Sequence, residues 1–378
     1  MVMTEWTKVV RLRSGTLRLR VDRSDFALDE LCGFASRRSR KRGFVFVSKV
    51  LGKHWPVRPR VMAETHEALA RMLRGVTGPV AMIGLAETAT ALGQGAHEAW
   101  VRLQGREDVV FLTTTRYRLN RPVAFEFQEG HSHATRHLVY VPADPEHAQI
   151  FLSARSLVLV DDEVSTGRTL ANLAREYRKL NPGVEALVIV CLTDWLGEGG
   201  RDEVAALAGL PTTVHSLLSG SFQFESDDTF DPGPIPDVTG TDEPKDHLLP
   251  TWHQRLGLRV PHSPGLEDWI RTSGARRGEV VLVLGTGEFA YPPYLLAQRL
   301  ESLGCEVLFQ ATTRSPLLCG EDLSSSLEFL DNYHDGIPNY LYNATRQEQS
   351  RALIGYEARP IPPGHTLPEM LGAVPLFF

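Results

Sequence analysis

The sequence predicts an α/β fold built on a parallel sheet, and three observations predict it. Apolar runs of strand length recur along the chain, stretches with helical spacing lie between them, and turn residues follow several of the runs. Strand, helix and strand in succession form a βαβ unit, whose two strands run parallel.

Taken in order, residues 43–47 (GFVFV) and 79–83 (PVAMI) read as short buried strands, and 64–73 between them has helical spacing. Residues 109–113 (VVFLT), 157–160 (LVLV) and 186–192 (ALVIVCL) read as further strands. After Gly167, apolar residues fall at Leu170, Leu173, Ala174, Tyr177 and Leu180, one face of a helix. Residues 226–250 are rich in Asp, Pro and Gly and offer little to anchor a core, which suits a linker or a long surface excursion. That stretch divides the chain into a unit at 1–225 and a smaller one at 251–378. The smaller unit repeats the pattern with a strand at 280–284 (VVLVL), a GTG turn at 285–287, a helix at 293–303 and a strand at 306–310 (EVLFQ).

Composition narrows the function classes. A net charge of −6 gives no general attraction to nucleic acid or to an anionic membrane, so neither is expected as a partner. The basic run 37–42 (RRSRKR) has no interleaved aromatic residue and reads as a solvated face. No apolar run approaches the roughly 20 residues that span a bilayer, and the N-terminus lacks the apolar core of a secretory signal. A cytoplasmic location is the expectation. Cys32, Cys191, Cys305 and Cys319 are scattered without a CxxC pair, which argues against a zinc site and a disulfide framework.

The segment 157–170 (LVLVDDEVSTGRTL) carries the chemistry. Ligands of open α/β sheets sit beyond the carboxyl ends of the strands. A strand ending at Val160 projects Asp161 and Asp162 into that space, where carboxylates accept hydrogen bonds from vicinal hydroxyls. Val164, Ser165, Thr166, Gly167, Arg168 and Thr169 then lead into the helix. Backbone amides at a helix start, with small hydroxyls and a glycine that permits close approach, bind a phosphate dianion. Paired acids for a diol and a loop for phosphate, on one turn, describe a ribose 5-phosphate cradle. A Walker-type loop also joins strand to helix, but it needs a glycine-rich lead and a GKS or GKT ending, and here Gly167, Arg168 and Thr169 follow acids.

This segment resembles the motif with which type I phosphoribosyltransferases bind 5-phosphoribosyl-1-pyrophosphate (PRPP). Residues 48–54 (SKVLGKH), 84–93 (GLAETATALG), 115–119 (TRYRL), 129–137 (EGHSHATRH), 313–316 (TRSP) and 331–343 (DNYHDGIPNYLYN) are similar to a narrower group. Its members are predicted phosphoribosyltransferases, found in bacterial tellurite-resistance and stress gene neighbourhoods, that carry a C-terminal domain named for its TRSP signature. The resemblance implies a type I phosphoribosyltransferase-like parallel sheet with helices on both faces, followed by a smaller C-terminal α/β TRSP-like domain. It also implies a glycosyltransferase of the pentosyltransferase class that uses PRPP, and a homodimer.

By that resemblance Asp161 and Asp162 hold the ribose hydroxyls and a Mg²⁺ ion, directly or through water, with Glu163 as the candidate base. Val164 to Thr169 take the 5-phosphate. Ala86, Glu87, Thr88, Ala89 and Thr90, after the strand at 79–83, form the expected pyrophosphate loop. Lys49, Lys53, Arg116, Tyr117, His131 and His133 are candidate contacts to pyrophosphate or to the base. The segment 116–137, with several arginines and histidines and little apolar periodicity, suits a mobile basic loop that closes over pyrophosphate. The spacing of His131, His133 and His137 also allows a metal cluster, though no companion cysteine or zinc-protease motif supports one.

The expected reaction is displacement of pyrophosphate from C1 of PRPP by a nitrogen nucleophile, a base or amine whose identity the spacing leaves open. Two alternatives stand beside it: a PRPP-sensing regulator without turnover, and pyrophosphorolysis of a nucleotide-like metabolite. The GTG turn and residues 312–315 follow neighbouring strands of the smaller unit and can face one crevice there. Residues 221–225 (SFQFE) offer either an aromatic wall for the base or closure of the first core.

Overall fold

Leucine and arginine alternate near the N-terminus, and that period of two makes an edge ribbon. β1 (Lys8–Leu12) and β2 (Gly15–Ser24) pair antiparallel, with Leu17 and Leu19 buried. A short helix, α1 (Leu28–Leu31), precedes the hairpin of β3 (Cys32–Ser36) and β4 (Phe44–Ser48). There follow α2 (Pro59–Met72), β5 (Val80–Gly84), α3 (Ala89–Gln104) and β6 (Val109–Thr113). A second ribbon pairs β7 (Val123–Gln128) with β8 (Arg136–Tyr140). α4 (Pro145–Ser153) is capped by Asp144, whose carboxylate accepts from the Glu146 and His147 amides at 2.8 and 3.2 Å. β9 (Ser156–Val164), α5 (Arg168–Leu180), β10 (Ala186–Asp194), α6 (Gly200–Ala208) and β11 (Thr212–Ser226) complete the first unit.

The computed structural model describes residues 7–39, 42–128, 136–246, 254–259, 265–344 and 351–378. Its larger sheet, among those residues, runs β1-β2-β11-β10-β9-β5-β6, parallel from β11 to β6 and antiparallel at β2 and β1. Alternate side chains serve opposite faces. Val80 and Met82 of β5 and Val158 and Val160 of β9 join Leu92, Ala96 and Trp100 of α3 in one core. Ala81, Ile83, Leu157 and Leu159 join Leu170, Leu173, Ala174 and Tyr177 of α5 in the other. A strand covered on both faces needs such a continuous apolar run.

Two expectations change at this level. Residues 43–47 do form a strand, but β4 pairs antiparallel with β3 outside the larger sheet. Within the segment 116–137, expected as a mobile basic loop, residues 123–128 and 136–137 belong to the ribbon of β7 and β8, with 129–135 outside the described residues. Residues 221–225 close a core: Phe222 and Phe224 pack against Phe44, with ring centroids 5.2 and 4.8 Å away.

The C-terminal unit comprises α7 (Leu266–Ser273), β12 (Val280–Gly285), α8 (Tyr291–Ser302), β13 (Glu306–Ala311), β14 (Ser326–Leu330), β15 (Pro338–Tyr342), β16 (Arg351–Tyr356), α9 (Leu367–Leu371) and β17 (Val374–Phe377). Its parallel sheet runs β13-β12-β16-β17, and β14 with β15 forms a separate ribbon. The two units share a core, in which Met62 of α2 and Ala91 of α3 cluster with Tyr291, Tyr294 and Phe309. The backbones of Val57 and Phe309 exchange hydrogen bonds of 3.0 and 2.8 Å.

The Asp/Pro/Gly-rich stretch is clamped to this assembly. Val238 is buried, and Lys245 pairs with Asp335 at 2.7 Å with both side chains nearly inaccessible. Among the described residues no helix is long and apolar enough to cross a membrane.

Candidate active site

The crevice arises where two neighbouring strands stop at different points. β5 pairs with β9 only as far as Gly84 opposite Val160. β9 continues to Val164 because β10 still offers it partners, with Asp161 opposite Cys191 and Val164 opposite Asp194. The strand therefore carries the acids within it instead of ending at Val160. The helix after β5 packs on one face of the sheet and the helix after β9 on the other. Such a switch point opens a crevice outside the carboxyl ends of the strands, the usual ligand position in this class of sheet.

A cavity of about 210 Å³ occupies this crevice. Asp161, Asp162, Glu163, Val164, Ser165, Thr166, Gly167, Arg168 and Thr169 all line it, and Ala86, Glu87 and Thr88 line it from the β5 side. Gly167 sits at the start of α5 with φ of 65°, and a Cβ there would meet Val204 Cγ2 at 2.3 Å. Glycine is thus required by both backbone and packing, and it brings the first amides of α5 to the cavity. Thr88 Oγ1 donates to Asp162 Oδ1 at 2.8 Å and ties the two loops together. Glu163 is paired with Arg42, which also reaches Ser165 Oγ at 3.4 Å. Burial raises the Glu163 pKa above the usual carboxylate value, Arg42 opposes that rise, and Asp162 adds to it.

The loop after β5 is held from several sides. The Ala86 amide donates to Thr114 Oγ1 at 2.9 Å, and the Ala86–Glu87 peptide is cis. The Glu87 carboxylate is buried between Lys53 Nζ at 2.8 Å and Arg314 Nε at 3.3 Å. Burial favours its protonation, but the two cations outweigh that and hold its pKa below the ordinary value. Thr313, Arg314, Ser315 and Pro316 of the C-terminal unit line the same cavity as residues 161–169 of the first unit.

A family model described as phosphoribosyl transferase matches residues 31–221, and one described as the TRSP domain C-terminal to that transferase matches residues 253–365. The chain belongs to this phosphoribosyl transferase family. It is a type I phosphoribosyltransferase domain followed by a TRSP domain. No curated protein matches the chain. Among solved structures it is similar to adenine phosphoribosyltransferase from Rhodothermus marinus, at 17% identity over 51% of this chain and 96% of that one, TM-score 0.33. It is also similar to the Giardia lamblia adenine enzyme in complex with 9-deazaadenine, at 15% identity over 50% and 95%, TM-score 0.33. Orotate phosphoribosyltransferase from Mycobacterium tuberculosis gives 13% identity over 54% and 93%, TM-score 0.30.

Other residues singled out in the transferase sequence lie in different places. Arg116 lines the cavity, and its amide donates to Glu288 Oε1 at 2.9 Å. Lys53, Tyr117, Ala89 and Thr90 do not line it. Lys53 is fully buried against Glu87 and the Gly287 carbonyl, and Tyr117 receives a hydrogen bond from Arg314 at 3.0 Å. Lys49 is turned to Asp322 at 3.6 Å and to the Trp55 ring. Arg118 and Arg136, within the segment 116–137 expected to close over pyrophosphate, both pair with Asp242. His131 and His133 lie outside the described residues, while His137 is buried with its Nδ1 3.0 Å from Thr114 Oγ1. The GTG turn is filled from within the protein, since the Gly287 amide donates to Thr312 Oγ1 at 2.9 Å.

The structure also adds residues. Arg37 and Arg42, from the run read as solvated, line the cavity, as do His54, Val45, Phe46 and Val238. A charge run has no direction until its hairpin is placed. Burial, with Lys53 adding to it, lowers the His54 pKa to about 4, so this ring is neutral near pH 7.

Proposed function

We propose that this transferase binds PRPP in the crevice and exchanges its pyrophosphate for a nitrogen nucleophile at C1. The observation that carries the reading is the hydrogen bond from Thr88 to Asp162, which joins a diol-binding acid pair and phosphate loop to a second loop across one cavity. Asp161 and Asp162 accept hydrogen bonds from the ribose hydroxyls, and the amides and hydroxyls of 165–169 hold the 5-phosphate. The loop 86–88 receives the pyrophosphate, with Arg116 lining the same space.

As at other glycosidic centres, the C1–O bond breaks through an oxocarbenium-like state. Its electron pair leaves with pyrophosphate, and the nucleophile's nitrogen forms the new bond to C1. Glu163 takes the proton which that nitrogen loses, a task that suits a carboxylate whose pKa burial has raised.

The residues present fit a bound Mg²⁺ of one kind. No group of three or more His, Cys, Asp or Glu side chains converges among the described residues. Asp161 and Asp162 on the cavity wall therefore suit an ion that keeps its waters and rests mainly on ligand phosphates. When bound, Mg²⁺ supplies positive charge to the departing pyrophosphate.

Thermal unfolding with PRPP and Mg²⁺ tests the reading. A ligand at 100 times its dissociation constant stabilises the fold by roughly 2.7 kcal/mol, and that shift is expected in wild type and absent from the Asp161→Asn/Asp162→Asn variant. No shift in wild type under saturating PRPP and Mg²⁺ would remove the central claim.

A further inference from the structure

Arg314 belongs to the C-terminal unit, yet its guanidinium reaches into three segments of the preceding chain. Nε donates to Glu87 Oε2 at 3.3 Å, one terminal nitrogen to the Tyr117 hydroxyl at 3.0 Å, and the other to the Val238 carbonyl at 3.4 Å. Glu87 lies in the loop 86–88, Tyr117 follows β6, and Val238 lies in the linker. The same arginine lies over the Tyr117 ring, 5.5 Å from its centroid, and is about nine-tenths buried while still lining the cavity.

Glu87 has a second cationic partner in Lys53, at 2.8 Å. Lys53 is in turn fixed by the Gly287 carbonyl of the C-terminal unit at 2.9 Å. Both cations that hold this carboxylate are therefore anchored on that unit. One residue further along the loop, Thr88 holds Asp162. A loop whose amides are to receive a polyanion works best when its geometry is set before the ligand arrives. Removing one partner of a buried charge pair leaves the other under-compensated, so the loop would relax away from that geometry.

We propose that the turn 313–316 of the C-terminal unit is part of the pyrophosphate subsite, with Arg314 a positioning residue that holds the loop 86–88 through Glu87. This rests on reading the crevice as a PRPP site. The active site is then composite, with the C-terminal unit acting on the leaving-group half.

Calorimetric binding of pyrophosphate with Mg²⁺, PRPP with Mg²⁺ and ribose 5-phosphate to the full chain tests the proposal. Arg314→Gln is expected to weaken pyrophosphate and PRPP by at least about tenfold, as for loss of one partner of a buried charge pair. Ribose 5-phosphate should lose far less, because only the Thr88 hydrogen bond to Asp162 links its site to the loop 86–88. Arg314→Lys keeps the charge but not the planar fork, so it should recover part of the loss. Tyr117→Phe removes only the hydroxyl that Arg314 donates to, and should give the same ligand-selective pattern at about threefold. That milder variant decides the matter if Arg314→Gln fails to fold.

Equal losses for all three ligands, or unchanged pyrophosphate binding, would overturn the proposal. Wild type that binds neither PRPP nor ribose 5-phosphate would instead overturn the reading of the crevice, and this inference with it.

Discussion

His97 lies on α3 with its imidazole stacked on the Phe111 ring at 5.5 Å, and neither ring nitrogen has a hydrogen-bond partner among the described residues. Burial lowers its pKa to about 3, lowers that of His66 to about 3, and with Lys53 lowers that of His54 to about 4. All three are neutral in the folded protein, whereas the unfolded chain takes up protons near pH 6.5. Their contribution to stability is therefore complete above about pH 6.5 and is lost as the pH falls toward 4 for His54 and toward 3 for His66 and His97. Each excluded proton gives a slope of about 1.4 kcal/mol per pH unit. Urea unfolding of His97→Leu between pH 6 and 4 should show a pH slope shallower than wild type by about that amount. An unchanged slope would mean that His97 is protonated in the folded state.

At the scale of elements, the junction between β9 and α5 carries both a structural and a chemical requirement. Gly167→Ala places a Cβ at φ of 65° and 2.3 Å from Val204 Cγ2. The left-handed conformation alone costs about 1–2 kcal/mol, and the contact with α6 forces the first amides of α5 to shift. A lowered melting temperature with loss of ribose 5-phosphate binding is expected. Gly105, at the end of α3, has a similar φ of 61° with nothing near its Cβ position. Gly105→Ala should therefore lower stability by about 1–2 kcal/mol and leave binding unchanged. If both variants bind alike, the loop does not depend on this glycine.

Across the whole molecule, Arg255 centres a buried ion-pair network of the C-terminal unit, and its Nε donates to Thr115 Oγ1 of the first unit at 3.2 Å. It pairs with Glu288 at 3.0 Å and Glu357 at 2.7 Å, and Tyr333 donates to Glu357 at 2.8 Å, all fully buried. Glu288 also accepts from Thr115 Oγ1 at 2.6 Å and from the Arg116 amide, so the same carboxylate sets the segment after β6 beside the cavity. Arg255→Met leaves two carboxylates without their cation and should cost about 3–5 kcal/mol. Arg155→Ala breaks a half-exposed pair with Glu185 and should cost no more than about 1 kcal/mol. Equilibrium denaturation of the two variants checks the contrast, and a small loss for Arg255→Met would mean that the two carboxylates are compensated without their cation.

The α/β class, the strand runs at 79–83, 109–113, 157–160 and 186–192, and the stretch 161–169 of paired acids and a glycine that lines the cavity were determined by the sequence itself. Each depends on residues adjacent in the chain, whose burial period and turn chemistry are local properties. The N-terminal ribon of β1 and β2 had a local signal too, the alternation in LRLRV, which a search for helical spacing and continuous apolar runs passes over. The destination of β4, the inward turn of Arg37 and Arg42, and the enclosure of Glu87 were decided only by tertiary structure. Arg314 meets Glu87 across 227 residues of chain. No local pattern encodes that contact, because it exists only once the core shared by Met62, Ala91 and Phe309 has fixed the second unit against the first.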